Sequence, residues 1–170
     1  IIKEWRIKPE DFLKYDIDPK DHINKAVLDT KSGSIIGVLG FEFGNTILKL
    51  DKDSNIIWKI TEEDKGYNSQ YFHHDFSLDD NGNIYIPVSK KNNYYDKYLT
   101  DFRDDGILAI DQNGKIIYEI YLSEIFEKND LSHLIFGVGP LEFDPFHLNE
   151  IEVAKFSSNF WKKDDLMLSL

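Results

Sequence analysis

Apolar positions in this chain alternate with polar ones in short runs, and clusters of Asp, Asn and Gly separate the runs. A period of two bounded by turn residues predicts strands rather than helices. Between Tyr71 and Leu122 the pattern gives four. His73 to Leu78 is the first and ends at an Asp79-Asp80-Asn81-Gly82 turn; Asn83 to Val88 is the second. Ile107 to Asp111, the third, turns through Gln112-Asn113-Gly114 into the fourth, Lys115 to Leu122. Four antiparallel strands within about fifty residues make one propeller blade.

The pattern recurs. Ile47 to Ile60 aligns without a gap on Ile107 to Ile120, with Asp51 over Asp111 and Trp58 over Tyr118. The opening strands recur too. Asp21-His22-Ile23-Asn24 leads into Lys25 to Asp29, a Thr30 to Gly33 turn and Ser34 to Phe41. Asp144-Pro145-Phe146-His147-Leu148-Asn149 leads into Glu150 to Lys155 and, later, Asp165 to Leu170. The fold class expected is all-β, a partial β-propeller in one domain. Residues 1–7 would be the last strand of a blade, 8–61 and 62–122 two full blades, and 123–170 the first half of another. Half-built blades leave strand edges open, so the sequence is expected to be an internal fragment whose remaining blades lie in the same longer chain.

Three linkers join last strands to first strands: Lys8 to Asp18, predicted as a short helix or turn; Thr61 to Phe72; and Ser123 to Phe143, opening with a capped short helix. A further insertion, Ser89 to Asp105, separates the second and third strands of the central blade. Strand alternation puts linkers and insertion at one end of the blades and the tight turns at the other. Function generally sits on elaborated loops.

Composition narrows the partners. The 170 residues are 41% hydrophobic with a net charge of −11, enough apolar content for a core and the wrong sign for nucleic acid or an anionic membrane. There is no cysteine, so neither disulfides nor thiol catalysis enters. No cofactor is implied. Asp51-Lys52-Asp53-Ser54-Asn55 imitates the start of a calcium loop but sits on a strand turn, and turn chemistry accounts for it.

Chemistry concentrates on histidine. His22, His73, His74 and His147 all stand where a blade begins, and Asn24, Phe76 and Asn149 follow three of them by two positions. Three readings are open: side chains capping the main chain, imidazoles converging on an anion or a transferred group, and a metal site. No carboxylate or cysteine spacing is typical of metal ligands. Tyr94, Tyr95, Tyr98 and Phe102 in the insertion form either a lid over an aryl ligand or a packed loop.

His73-His74-Asp75 and Asp144-Pro145-Phe146-His147-Leu148-Asn149 resemble the HHD-type and D-x-x-H-x-N motifs of the arylsulfotransferases, bacterial enzymes on a six-bladed propeller. The resemblance implies a ping-pong transfer of a sulfuryl group from an aryl sulfate to a phenolic acceptor through a sulfated histidine. It implies supporting, catalytic roles for His74 and His147 at the sulfate oxygens; His22, His73, Asn149 and Tyr95 stand beside these as candidates for substrate binding, with no family role mapped onto His22. It also implies an arginine and a nucleophilic histidine later than Leu170, and a periplasmic or secreted location. The rivals are a non-catalytic propeller that binds a ligand or protein through Ser89 to Asp105 and Ser123 to Phe143, and a metal-dependent propeller enzyme.

Overall fold

A computed structural model of the chain describes residues 3–7, 22–41, 44–66, 71–73, 75–92, 102–136 and 144–170. They fall into two units, Ile1–His74 and Asp75–Leu170. The fold is all-β and antiparallel, a partial propeller. In the first unit β1 (His22–Asp29), β2 (Ser34–Phe41), β3 (Gly44–Leu50) and β4 (Ile56–Thr61) pair in sequence order. The second unit holds β5 (Ser77–Leu78), β6 (Ile84–Lys91), β7 (Arg103–Ile110) and β8 (Ile116–Tyr121), again paired in order. A two-stranded sheet follows in the same unit, β9 (Glu150–Val153) with β10 (Leu166–Ser169). Such meanders are the blade architecture, and both four-stranded sheets carry a register shift at corresponding places, Lys49/Leu50 and Ala109/Ile110.

The turns explain the Asp-rich punctuation. Asp51, Asp79 and Asp111 each accept, through Oδ1, the main-chain N–H groups two and four residues on, at 2.8–2.9 Å. Three residues after each aspartate the chain turns left-handed, at Ser54 (φ 68°), Gly82 (81°) and Gly114 (84°). These carboxylates shape hairpins, as the turn reading of Asp51 expects.

Several elements differ from the sequence reading. β5 is only Ser77–Leu78, because the Asp75 carboxylate takes the Phe76 N–H at 2.6 Å in competition with a ladder. The β6–β7 ladder instead runs further than alternation suggests, through Ser89↔Asp105, Lys90↔Asp104 and Lys91↔Arg103. The two ends of the expected insertion, 89–91 and 103–105, are therefore paired strand. Residues 3–7 belong to no strand; Trp5 and Ile7 pack on Leu39, Leu48 and Leu50, and the Arg6 N–H donates to Ser54 Oγ at 2.9 Å. The 154–165 connection between β9 and β10 is long although it joins a first strand to a second, so the tight-turn end is elaborated there. Lys163 Nζ ties it to the Asp80 carboxylate and Lys155 Nζ to the Leu78 carbonyl. The linker 8–18 lies outside the described residues.

The second unit's core is built where the sheets meet. Phe102, Ile107, Leu122, Ile135, Phe146, Leu148 and Ile151 form one buried cluster, joining β7, the helices α1 (Leu122–Lys128) and α2 (His133–Phe136), the D-x-x-H-x-N segment and β9. The α1 cap differs from the local cap expected. Its N-terminus has no side-chain cap of its own; the fully buried Asp104 of β7 accepts the Ser123 N–H at 3.1 Å and the Ser123 hydroxyl, while Asn92 Nδ2 donates to it at 2.7 Å. Asp104→Ala leaves those donors buried and unmatched, so unfolding free energy should fall by about 1–3 kcal/mol. Denaturant titration reads this, and an unchanged midpoint would show that the cap contributes nothing.

Candidate functional site

The segment entering β9 alternates in and out. Phe146 and Leu148 are 4% and 0% exposed, held in the core, with Phe146 edge-on to Phe102 at 6.3 Å and tilted on Phe126 at 5.2 Å. His147, between these anchors, turns outward with 67% of its side chain exposed. Its φ is +43°, left-handed backbone that a residue keeps only where its surroundings enforce it.

Three side chains do so. The Asp144 carboxylate accepts the His147 N–H at 3.3 Å and meets Nδ1 of the ring at 2.8 Å. Asn149 Nδ2 donates to the His147 carbonyl at 2.9 Å, and the Asn149 N–H ladders to the Ser169 carbonyl at 2.9 Å. Asp105, 1% exposed on β7, accepts the Leu148 N–H through Oδ2 at 2.5 Å. The spacing of the motif thus has a mechanical reason: its first and last residues bracket the main chain of the histidine between them.

With Nδ1 turned to a carboxylate, Nε2 is the nitrogen an approaching ligand meets. The hydrogen bond to Asp144 and the charge of Asp144 raise the His147 pKa above the usual imidazole value; Asp105 adds to this, while burial and Arg103 oppose it. The imidazolium is therefore retained to higher pH than in a free histidine. A cationic N–H on an exposed ring is suited to an anionic oxygen.

The other expected site residues divide. Asn149 is beside His147, but its amide N–H holds the His147 carbonyl. His73 is half-buried in the first unit, after a stretch pinned by Glu62 Oε1, which accepts the Tyr71 and Phe72 N–H groups at 2.8 and 3.0 Å. His22 opens β1 opposite Gly40, with its side chain outside the described atoms. His74, Tyr94, Tyr95 and Tyr98 lie outside the described residues. Phe102, grouped with those tyrosines as a lid or packed loop, is fully buried core. Among the described residues no group of three or more His, Asp or Glu side chains is arranged to hold a metal ion, and no helix is long and apolar enough to cross a membrane.

Sequence reasoning missed Asp105 and the action of Asp144 on the ring. Asp144 had a local signal, an aspartate three residues before the residue it caps. Asp105 had none, because its contact crosses 43 positions.

Antiparallel four-stranded meanders, with an oriented imidazole where the chain enters the next sheet, define a propeller-type protein with a candidate oxyanion-binding histidine. A family model described as arylsulfotransferase (ASST) matches residues 22–170. The chain belongs to the arylsulfotransferase family, which places its function broadly in sulfuryl transfer. No curated protein and no solved structure gave a match.

Proposed function

We propose that this chain forms part of an enzyme that moves a sulfuryl group from an aryl sulfate to a phenolic acceptor through a histidine intermediate. In the first half-reaction a histidine nitrogen attacks sulfur, the bond from sulfur to the aryl oxygen breaks, and phenolate departs with the electron pair. In the second, a phenol attacks the sulfated histidine, frees it, and yields its proton to base. His147 is not the nucleophile in this scheme. Its Nε2–H holds sulfuryl oxygens, where fixed cationic donors offset negative charge. The resemblance gives His74 the matching role by its place in the HHD-type motif, and His22, His73 and Tyr95 are the candidates for contact with the aryl sulfate.

The observation that carries the reading is the Asp144–His147 pair on a ring that is exposed between two buried anchors. The pair sets a pH dependence. Because the folded pKa of His147 is raised, the charged donor persists below that value and is lost as pH rises through it; the ion pair's contribution to stability fades over the same range. The charged groups facing His147 are Asp144 from its own segment and Asp105 and Arg103 from β7. Asp144→Asn should therefore move the alkaline rise in KM for an aryl sulfate to lower pH. Steady-state kinetics of the intact protein across pH checks this, and an unmoved limb would remove the imidazolium as donor. Covalent gain of one sulfuryl group on a histidine, seen by mass spectrometry after mixing with aryl sulfate alone, checks the intermediate.

A further inference from the structure

The third strand of each four-stranded sheet sends a side chain to the later stretch of its own unit that carries a histidine motif. Asn45 and Asp105 stand two residues before Ile47 and Ile107, the positions at which the two hairpins align. Asn45 Nδ2 donates to the Phe72 carbonyl at 2.6 Å, just ahead of His73. Asp105 Oδ2 accepts the Leu148 N–H, just after His147. The two bonds have opposite polarity and use different main-chain groups, yet they occupy one register position. In both cases the partner main chain is next to a histidine motif.

From this juxtaposition we infer that Asp105 is a positioning residue for His147: it fixes the main chain of the histidine entry from the preceding sheet, and Asn45 is the same device one sheet earlier. The inference rests on the sulfate-binding role given to His147 for its consequence in turnover, but not for its geometry. Leu148 is fully buried, so no water replaces the acceptor if Asp105 is truncated. With the Leu148 N–H released, the left-handed turn at His147 loses one of its three restraints, and the ring no longer holds its bond to Asp144. Asp105 adds its own negative charge nearby, which favours the imidazolium. The facing charged groups are again Asp144, Arg103 and Asp105 itself.

Two substitutions separate geometry from charge. Asp105→Ala removes the acceptor; Asp105→Asn keeps an acceptor oxygen and removes the charge, the side chain that the first sheet already has at this position. Ring nitrogen NMR of His147 in the intact protein reads tautomer and titration without reference to turnover, and kinetics with an aryl sulfate are measured alongside. In Asp105→Ala the Nδ1-bonded tautomer should be lost and kcat/KM should drop at least tenfold. In Asp105→Asn the tautomer should return, most of kcat/KM should recover, and the titration should sit at lower pH than in the parent. If Asp105→Ala does not fold, Asp105→Leu, close in volume but without an acceptor, is read in its place, and an unchanged His147 tautomer there would overturn the inference. A His147 tautomer and titration unchanged in both variants would overturn the inference. A changed ring with turnover intact, together with a fully active His147→Ala protein, would uphold the positioning and reject the sulfate role.

Discussion

His147→Ala should lower kcat for an aryl sulfate by about 10²–10³-fold, the effect of removing one well-placed oxyanion donor, while the protein stays folded. The ring is mostly exposed and adds little to packing, since Phe146 and Leu148 hold the segment. What the substitution does disturb is backbone preference, because alanine is less at ease than histidine or asparagine at positive φ. His147→Asn is therefore the stricter partner, keeping the left-handed preference while removing the imidazole. Both variants should melt within a few degrees of the parent, and both should lose turnover in steady-state assays. Full activity in either one would end the assignment of His147 to the sulfate. His74→Ala should behave alike in turnover.

A second large effect, on stability, falls on a glycine beside the site. Gly106 follows Asp105 on β7 and pairs with Tyr121 of β8. A Cβ there would lie 2.5 Å from the Ile120 carbonyl oxygen, 2.8 Å from Tyr121 Cδ1 and 3.2 Å from Tyr121 Cα. Two of these contacts are main chain, so no rotamer change relieves them. In the first sheet the same pair is Thr46 with Thr61, two medium side chains in place of none and a large one. The Tyr121 ring, with Lys90 Nζ 3.3 Å from its centroid, fills the space over the glycine. Gly106→Ala should cost about 1–3 kcal/mol, as overpacking does, and lower kcat/KM by shifting Asp105. Adding Tyr121→Thr should recover only part of the loss, because the Ile120 carbonyl remains in the way. Chemical denaturation of the three proteins measures this; a Gly106→Ala protein as stable as the parent would refute the contact.

Strands and turns were legible because their causes are local. Alternation over six to eight residues determines which face is buried, and an Asp followed three places on by a left-handed residue, Ser54, Gly82 or Gly114, makes each of the three hairpins. β5 was overread because the Asp75 side chain intercepts the Phe76 N–H, an event that alternation does not encode. The cap on α1 was misplaced for a related reason: Ser123 has cap chemistry, but the group that satisfies the helix start is Asp104, from another strand. At the site, the motif pointed to His147, whereas Asn149 proved to hold its carbonyl. The clamp from Asp105 depends on which sheet edge faces the motif, and only the folded chain brings those groups together.

The hairpins also bear on how the protein ages. Asn81-Gly82 and Asn113-Gly114 are the dipeptide in which an asparagine amide is lost most readily, when the following N–H attacks it and closes a succinimide ring. Here that N–H is engaged, donating to the Asp79 carbonyl at 3.1 Å and to the Asp111 carbonyl at 3.0 Å. The glycines are held left-handed as well. Closing the ring first requires the hairpin to open, so isoaspartate accumulating at these two positions is a slow chemical record of how often each turn comes apart.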